Sequence, residues 1–285
     1  MLTFLILFLI ILCVGVFLFL KKPLCNVRIK RPLCNVRIKY IPKIIHQLAP
    51  SKKRLHKTIV KNIDRIKKMN PDWVYVLYDD NDIKKFIKEN YPPYILRIYN
   101  LINQEYGAAR ADFARYLIMY IKGGVYLDIK SYMTIPLTNI IRYEDEYILS
   151  HWGISGDWHQ KLLNMKHGEY QQWHIICRPK HPFLFAVINS VIKNILNYNI
   201  YVDGTGKKGV LKVTGPIVYT QSIYRLLSTN KYRLVHNNKD IFLHYSCIRD
   251  HRRIFHKKHY SELKSPIIMH ISDKKNFLYH SAEGD

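Results

Sequence analysis

The sequence predicts an α/β domain wound around a doubly covered sheet, set behind an N-terminal segment able to cross a membrane. Three observations carry this. From residue 43 onward, short apolar or β-branched runs alternate with helical patterns, the grammar of a doubly wound sheet. Residues 105–131 read as helix, glycine stop, short buried strand and acidic tip. Met1 to Leu20 carries no charged side chain, and about 20 residues at ~1.5 Å each span the ~30 Å hydrocarbon core.

The N-terminal segment is followed by Lys21-Lys22-Pro23, where a cleaved signal peptide would need a small-residue site. It is therefore expected to stay as a single-pass anchor, residues 1–20. All the nearby positive side chains follow the span. Positive-inside would leave the large domain cytosolic, whereas a Golgi-type enzyme needs the opposite, so the membrane face stays open. Residues 23–30 and 32–39 are the same octapeptide, Pro-Leu-Cys-Asn-Val-Arg-Ile-Lys. Two copies are too few and too short for a solenoid. They read as a duplicated basic stem, residues 21–39, able to attract anionic lipid. A folded domain over 40–275 and a polar tail over 276–285 complete the division.

The net charge of +24 favours polyanions, anionic lipid or phosphate-bearing substrates, although the abundance of Lys, Ile, Asn and Tyr also suits an AT-rich genome. The sequence holds no nucleic-acid-binding motif, and none is expected to be a partner. Its five cysteines form no CxxC pair and no zinc spacing, so neither a disulfide framework nor a zinc site is expected.

Within the domain, Lys43 to Leu48 is a first strand. Leu55, Ile59, Ile63 and Ile66 recur at helical spacing. Asn70-Pro71-Asp72 marks a turn before the strand Trp73 to Tyr78. Asp79-Asp80-Asn81-Asp82 opens a helix, with acids where a cap and the dipole favour them; the rival reading is a metal site. Pro92-Pro93 begins another helix. Ala108 to Lys122 has no Gly or Pro and is rich in helix formers. Gly123-Gly124 ends it, Val125-Tyr126-Leu127 suits a buried strand, and Asp128 falls where that strand emerges. In open α/β sheets ligands bind just outside such strand ends. Asp112 and Arg115 share a helix face.

The later chain is less regular. Glu146 to Ser150 and Trp173 to Cys177 read as strands around a long loop of the kind that often forms a lid. His181-Pro182 leads into a helix to about Leu196. Asp203 to Gly209 is Gly- and Lys-rich but lacks Walker spacing and reads as a turn. Val213-Thr214-Gly215-Pro216 precedes a helix. Strands near 233–236, 241–245 and 266–270 are expected to finish the sheet. Arg249 to His259 is the densest basic run of the domain, reading either as a solvated face or as the border of an anionic substrate.

Four stretches together resemble the DXD-type sugar transferases of glycosyltransferase family 32, which include the Golgi initiating α-1,6-mannosyltransferases. They are Ile41-Pro42-Lys43-Ile44-Ile45-His46-Gln47; Asn70-Pro71-Asp72-Trp73 running into Tyr78-Asp79-Asp80; Ala111-Asp112-x-x-Arg115-Tyr116 with Gly123-Gly124-x-Tyr126-Leu127-Asp128; and Val213-Thr214-Gly215-Pro216. The resemblance implies a GT-A fold, Rossmann-like, with a mixed, mostly parallel sheet flanked by helices. It implies a UDP- or GDP-sugar donor, retention at the anomeric carbon, a Mn²⁺ or Mg²⁺ ion, and a glycan, protein or lipid acceptor. It also implies an ER/Golgi-type or viral/host endomembrane setting.

By that resemblance, Asp112 and Arg115 hold sugar hydroxyls, Gly124 lines the donor site, His46 and Gln47 lie near the base or ribose, and Asp128 meets the ribose or the metal. His270 is a late candidate metal ligand beside Asp128. Two positions depart from the pattern. The family's Asp-x-Asp is here Asp128-Ile129-Lys130, and Lys supplies no oxygen to a hard cation. The residue that would stack on the base is Ala49 instead of Trp. Lys130 has three readings: a fixed cation touching the diphosphate, a bystander beside a weakened metal site, or the mark of a silent relative acting as a tethered binding protein. A satisfied, half-buried histidine is the equal rival reading of His46.

Overall fold

The computed structural model describes residues 38–152, 162, 165–248 and 259–269. The expected anchor, nearly all of the stem, most of the basic run after Arg249, His270 and the polar tail lie outside the described residues, as do residues 153–161 of the long loop. Among the described residues no helix is long and apolar enough to cross a membrane.

The elements are β1 (Ile44–Leu48), α1 (Lys57–Met69), β2 (Val74–Tyr78), α2 (Asp80–Asn90), α3 (Pro93–Leu101), α4 (Gly107–Lys122), β3 (Gly124–Leu127) and β4 (Tyr132–Met133). They continue with β5 (Tyr147–His151), β6 (His174–Cys177), α5 (Pro182–Leu196), α6 (Ile200–Asp203), α7 (Gly206–Val213), α8 (Pro216–Tyr224), β7 (Arg233–His236), α9 (Asn237–Asp240) and β8 (Leu243–His244). The main sheet has the order β2-β1-β3-β6-β5-β7. β1 pairs parallel with β2 and β3, and β5 parallel with β7. β6 is antiparallel to both neighbours, so it runs against the other five strands. The sheet is therefore mixed and mostly parallel, as the resemblance implied. Periodicity reports that a strand exists but not its direction.

Strand alternation sends Ile45, Val125, Leu127, Ile148, Ile176 and Val235 into a core shared with Ile66 of α1. Tyr126, between two of those residues, points to the opposite face, where the Arg115 guanidinium of α4 lies over its ring. α4 packs against α5, α2 and α3, and α5 against α8. α4 is buried along most of its circumference, from Ala109 to Tyr120, as expected of a helix enclosed by other elements. That burial decides the environment of Asp112 and Arg115: they form no surface ion pair, because α4 has little surface.

The turn from α4 to β3 depends on two glycines. Gly123 has φ 61° and Gly124 φ 91°. A Cβ on Gly124 would lie 2.4 Å from the Ile44 carbonyl oxygen. Only the missing side chain lets β3 enter the sheet this close to β1. The acid cluster at 79–82 is a helix cap. Asp79 Oδ1 accepts from the backbone N–H of Asn81 and Asp82, and Asp82 Oδ2 accepts from the Asp79 N–H, a reciprocal capping box.

Two expectations need correction. The segment 203–209 is not a plain turn, because α7 begins at Gly206. Its first N–H donates to the Tyr106 hydroxyl (3.0 Å), and Val210 and Val213 are buried, so packing overrides the poor helix propensity of glycine. The 266–270 segment does not finish the sheet. Its described residues, 266–269, make one antiparallel bridge, Ile268 to Ile102. β8 pairs with β4 in a separate two-stranded ribbon, leaving β7 to close the main sheet.

Candidate functional site

The carboxyl end of β3 and the first half of α4 meet beneath a group of aromatic side chains. Asp128 is the outermost acid there. Its Oδ1 accepts from the Tyr126 hydroxyl (2.9 Å) and lies 3.1 Å from Arg115 Nη2. Arg115 Nη2 also stands 3.2 Å from Asp112 Oδ1. The remaining guanidinium nitrogens donate to Ala111 O (3.3 Å) and Gln172 O (2.9 Å). Each guanidinium nitrogen of Arg115 therefore has a partner, and the side chain fixes Asp128 in place. The two carboxylates beside it raise its proton affinity further, against the opposing effect of burial.

Asp112 is enclosed. Gln172 Nε2 donates to its Oδ1 (3.1 Å), and Thr214 Oγ1 to its Oδ2 (3.0 Å). Burial pushes its pKa up while Arg115 opposes that rise. The Tyr116 hydroxyl lies against Gln172 Oε1 and 3.0 Å from Thr214 O. Thr214 and Gln172 are thus the residues that hold the inner acid. Neither was singled out as a site residue from sequence. The Val-Thr-Gly-Pro stretch was the only signal for Thr214, and Gln172 had none.

Asp128 and Lys130 belong to a tight turn closed by the Ser131 N–H donating to Asp128 O (2.8 Å). Neighbours clamp this turn from several sides. Gln47 Nε2 donates to Asp128 O (3.1 Å), and the Tyr75 hydroxyl donates to Gln47 Oε1 (2.6 Å). Asn62 Nδ2 donates to Ser131 O (2.9 Å), the Ser131 hydroxyl to Tyr245 O (2.9 Å), and the Cys247 N–H to Lys130 O (2.8 Å).

Lys130 is half-buried, with Nζ 3.9 Å from the centroid of the Tyr245 ring, a cation–π contact. Burial lowers its pKa, Asp128 raises it, and Arg115 lowers it again. The ammonium thus shares one electrostatic neighbourhood with both. Tyr245 packs edge-on against Trp152 and Trp173, giving an aromatic wall that the sequence did not announce.

The other expected residues fall in two groups. Gln47 joins the acid turn as described. His46 is directed away from it, 1% exposed. Its Nε2 lies 3.0 Å from Gly123 O and its Nδ1 3.1 Å from the Tyr78 hydroxyl. A carbonyl can only accept, so Nε2 carries the proton and Nδ1 accepts. Burial lowers the His46 pKa to about 4, so the ring is neutral and ties β1 to the glycine turn. Gly124 shapes that turn through its backbone. Ala49 is buried and its N–H donates to Tyr78 O (2.9 Å). His270 lies outside the described residues.

Among the described residues the donor set offers few free oxygens to a hard divalent cation. Such an ion takes oxygen ligands, usually six or more with its waters. One oxygen of Asp128 is committed to Tyr126 and Arg115, both oxygens of Asp112 are committed, and Lys130 brings a competing positive charge. Among the described residues no three His, Cys, Asp or Glu side chains gather to hold a metal.

Residues 56–147 match the family described as "Glycosyltransferase sugar-binding region containing DXD motif". That match covers 92 of the chain's 285 residues. The region begins just before α1 and ends at the start of β5, so it contains Asp112, Arg115, Asp128 and Lys130. Inositol phosphoceramide mannosyltransferase 3 of Schizosaccharomyces pombe is 30% identical over 179 residues, 62% of this chain and 43% of that one. The initiation-specific alpha-1,6-mannosyltransferase of Candida albicans is 24% identical over 188 residues, 56% of this chain and 45% of that one. The chain thus spans less than half the length of either relative. The solved structure of PaToxG glycosyltransferase superposes with a TM-score of 0.50 at 19% identity, covering 67% of this chain and 70% of that one. The matched residues therefore sit in a GT-A-like fold, with its mixed sheet flanked by helices.

Proposed function

We propose that this protein is a membrane-associated glycosyltransferase that moves a hexose from a nucleotide sugar, UDP- or GDP-linked, to a glycan, protein or lipid acceptor, with retention. The names of its relatives favour mannose as the sugar, and inositol phosphoceramide, named for the S. pombe relative, favours a lipid acceptor. One observation carries the reading: a buried arginine binds two carboxylates at the mouth of β3, with Lys130 in the same tight turn as the outer one, its ammonium against Tyr245.

Glycosyl transfer must stabilise a departing diphosphate while positive charge builds on the sugar. In this reading Asp128 meets the donor ribose or sugar. Asp112 and Arg115 act mainly as positioning residues, because their polar atoms are already engaged. Lys130 supplies the fixed cation that the family obtains from a metal. With Asp112 and Asp128 negative and Arg115 and Lys130 positive, the four side chains sum to zero. Tyr245 holds the ammonium, and the Gln47–Tyr75 pair holds the backbone of the turn.

Donor hydrolysis and transfer with a panel of UDP- and GDP-sugars, with and without Mn²⁺ and with chelator, tests this. Activity should survive chelation, fall at least about a hundredfold in Asp128→Asn, and fall comparably in Lys130→Ala. Absence of turnover and of nucleotide binding by calorimetry would sink the enzyme reading in favour of a silent tethered binder. Activity that vanishes with chelator but persists in Lys130→Ala would assign the cation role to a metal.

A further inference from the structure

We infer that the turn between α5 and α7 is a membrane-docking tip that seats on an anionic lipid surface. Tyr201 and Val202 of α6 are 95% and 72% exposed, although the backbone that carries them is firmly held. Asn199 Oδ1 accepts from the Tyr201 N–H (2.9 Å), and Asp203 Oδ2 accepts from the Asn199 N–H (2.9 Å). The Tyr198 hydroxyl donates to Gly204 O (2.8 Å). Tyr201 and Val202 side by side form a small apolar patch on an ordered turn. Tyrosine, with an apolar ring and a polar tip, suits the lipid–water interface.

The charge around the tip selects the kind of surface. Lys207 and Lys208, one turn later, are exposed, as is Lys193 in the last turn of α5. The one acid of α6, Asp203, is paired with Lys212, and the exposed Lys193, Lys207 and Lys208 give the tip a positive surplus. Apolar residues ringed by lysine describe an interfacial anchor for anionic lipid.

The tip also lies a fixed distance from the site. α7 has eight residues, hence a length of about 12 Å. Thr214, just beyond its end, donates to Asp112 Oδ2 (3.0 Å). Seating the tip would bring the acid pair to the membrane side through one short helix, an arrangement that suits a lipid-borne acceptor. Only this last step rests on the glycosyltransferase reading; the docking does not.

The test uses the full chain reconstituted in vesicles of phosphatidylcholine and phosphatidylserine, with Tyr201→Trp as a reporter over the four native tryptophans. Lipids brominated near the headgroup should quench at least about half of the added emission. That quenching should weaken when Lys207→Glu and Lys208→Glu are introduced together, or when phosphatidylserine is omitted. Added emission equal in brominated and plain vesicles, for Tyr201→Trp and for Val202→Trp alike, overturns the proposal and leaves a protein partner as the occupant. In Tyr201→Ser/Val202→Ser, hydrolysis of a soluble nucleotide sugar should stay within about twofold of wild type, since neither residue lies at the acid pair. Loss of that hydrolysis would give the segment a structural role in the site and overturn the docking assignment. Docking without any donor turnover in the wild type would spare the tip and defeat the enzyme reading.

Discussion

Lys130 occupies the position where the resemblance expected an aspartate, and its surroundings make it more than a missing ligand. Burial lowers its pKa although Asp128 opposes this. If its charge is required, activity should fall as pH rises toward that lowered pKa, below the range of an ordinary lysine. A kcat profile on a soluble donor should show this alkaline limb, and Lys130→Arg should move it upward, because arginine stays protonated. Gln47 makes a separate prediction. It acts on the turn through a backbone carbonyl and through Tyr75. Tyr75→Phe removes the donor to Gln47 Oε1, which should cost about 1 kcal/mol of stability. It should also lower kcat/KM several-fold at unchanged alkaline limb, measured beside Lys130→Arg. Sequence alone identified Asp112, Arg115 and Asp128 as a group because their spacing lies within one helix and the strand after it. It could not find Gln172 or Tyr245, which reach the site from distant loops with no local pattern to mark them.

At the scale of elements, α4 and β3 form the unit on which the site is built. Their boundaries were legible: a long run of good helix formers, two glycines and three apolar β-formers leave little choice of local structure. Partners were not. Nothing local revealed that β6 would lie antiparallel beside β3, or that α7 would form on a glycine-rich segment, because both follow from long-range packing. The glycine turn carries a sharp test. Gly124→Ala places a methyl 2.4 Å from a backbone oxygen at a φ of 91°. It should destabilise the fold by at least about 2 kcal/mol, read as a lower midpoint in urea unfolding, whereas Gly107→Ala, with nothing within 4 Å of the added carbon, should not.

Over the whole molecule, two buried neutral histidines couple folding to pH. Burial lowers His46 to about 4 and His174 to about 3, against about 6.5 in an unfolded chain. Below pH ~6.5 the unfolded state binds protons that the folded state refuses, so stability is complete above that value. It falls on acidification by about 1.4 kcal/mol per pH unit for each histidine, until each folded pKa is reached. Thermal midpoints between pH 7 and 4.5 should fall accordingly, and His174→Asn should flatten the slope. The arrangement of charge at the acid turn has a consequence for turnover. If Lys130 stands in for a metal, as proposed, no resident dication grips the spent nucleoside diphosphate. The product is then retained mainly by one ammonium and its base contacts, and Ala49 offers no ring for stacking. Product inhibition by the nucleoside diphosphate should therefore be weak and unaltered by added Mn²⁺, so that the rate of the cycle is set by chemistry or acceptor encounter instead of by the departure of the spent donor.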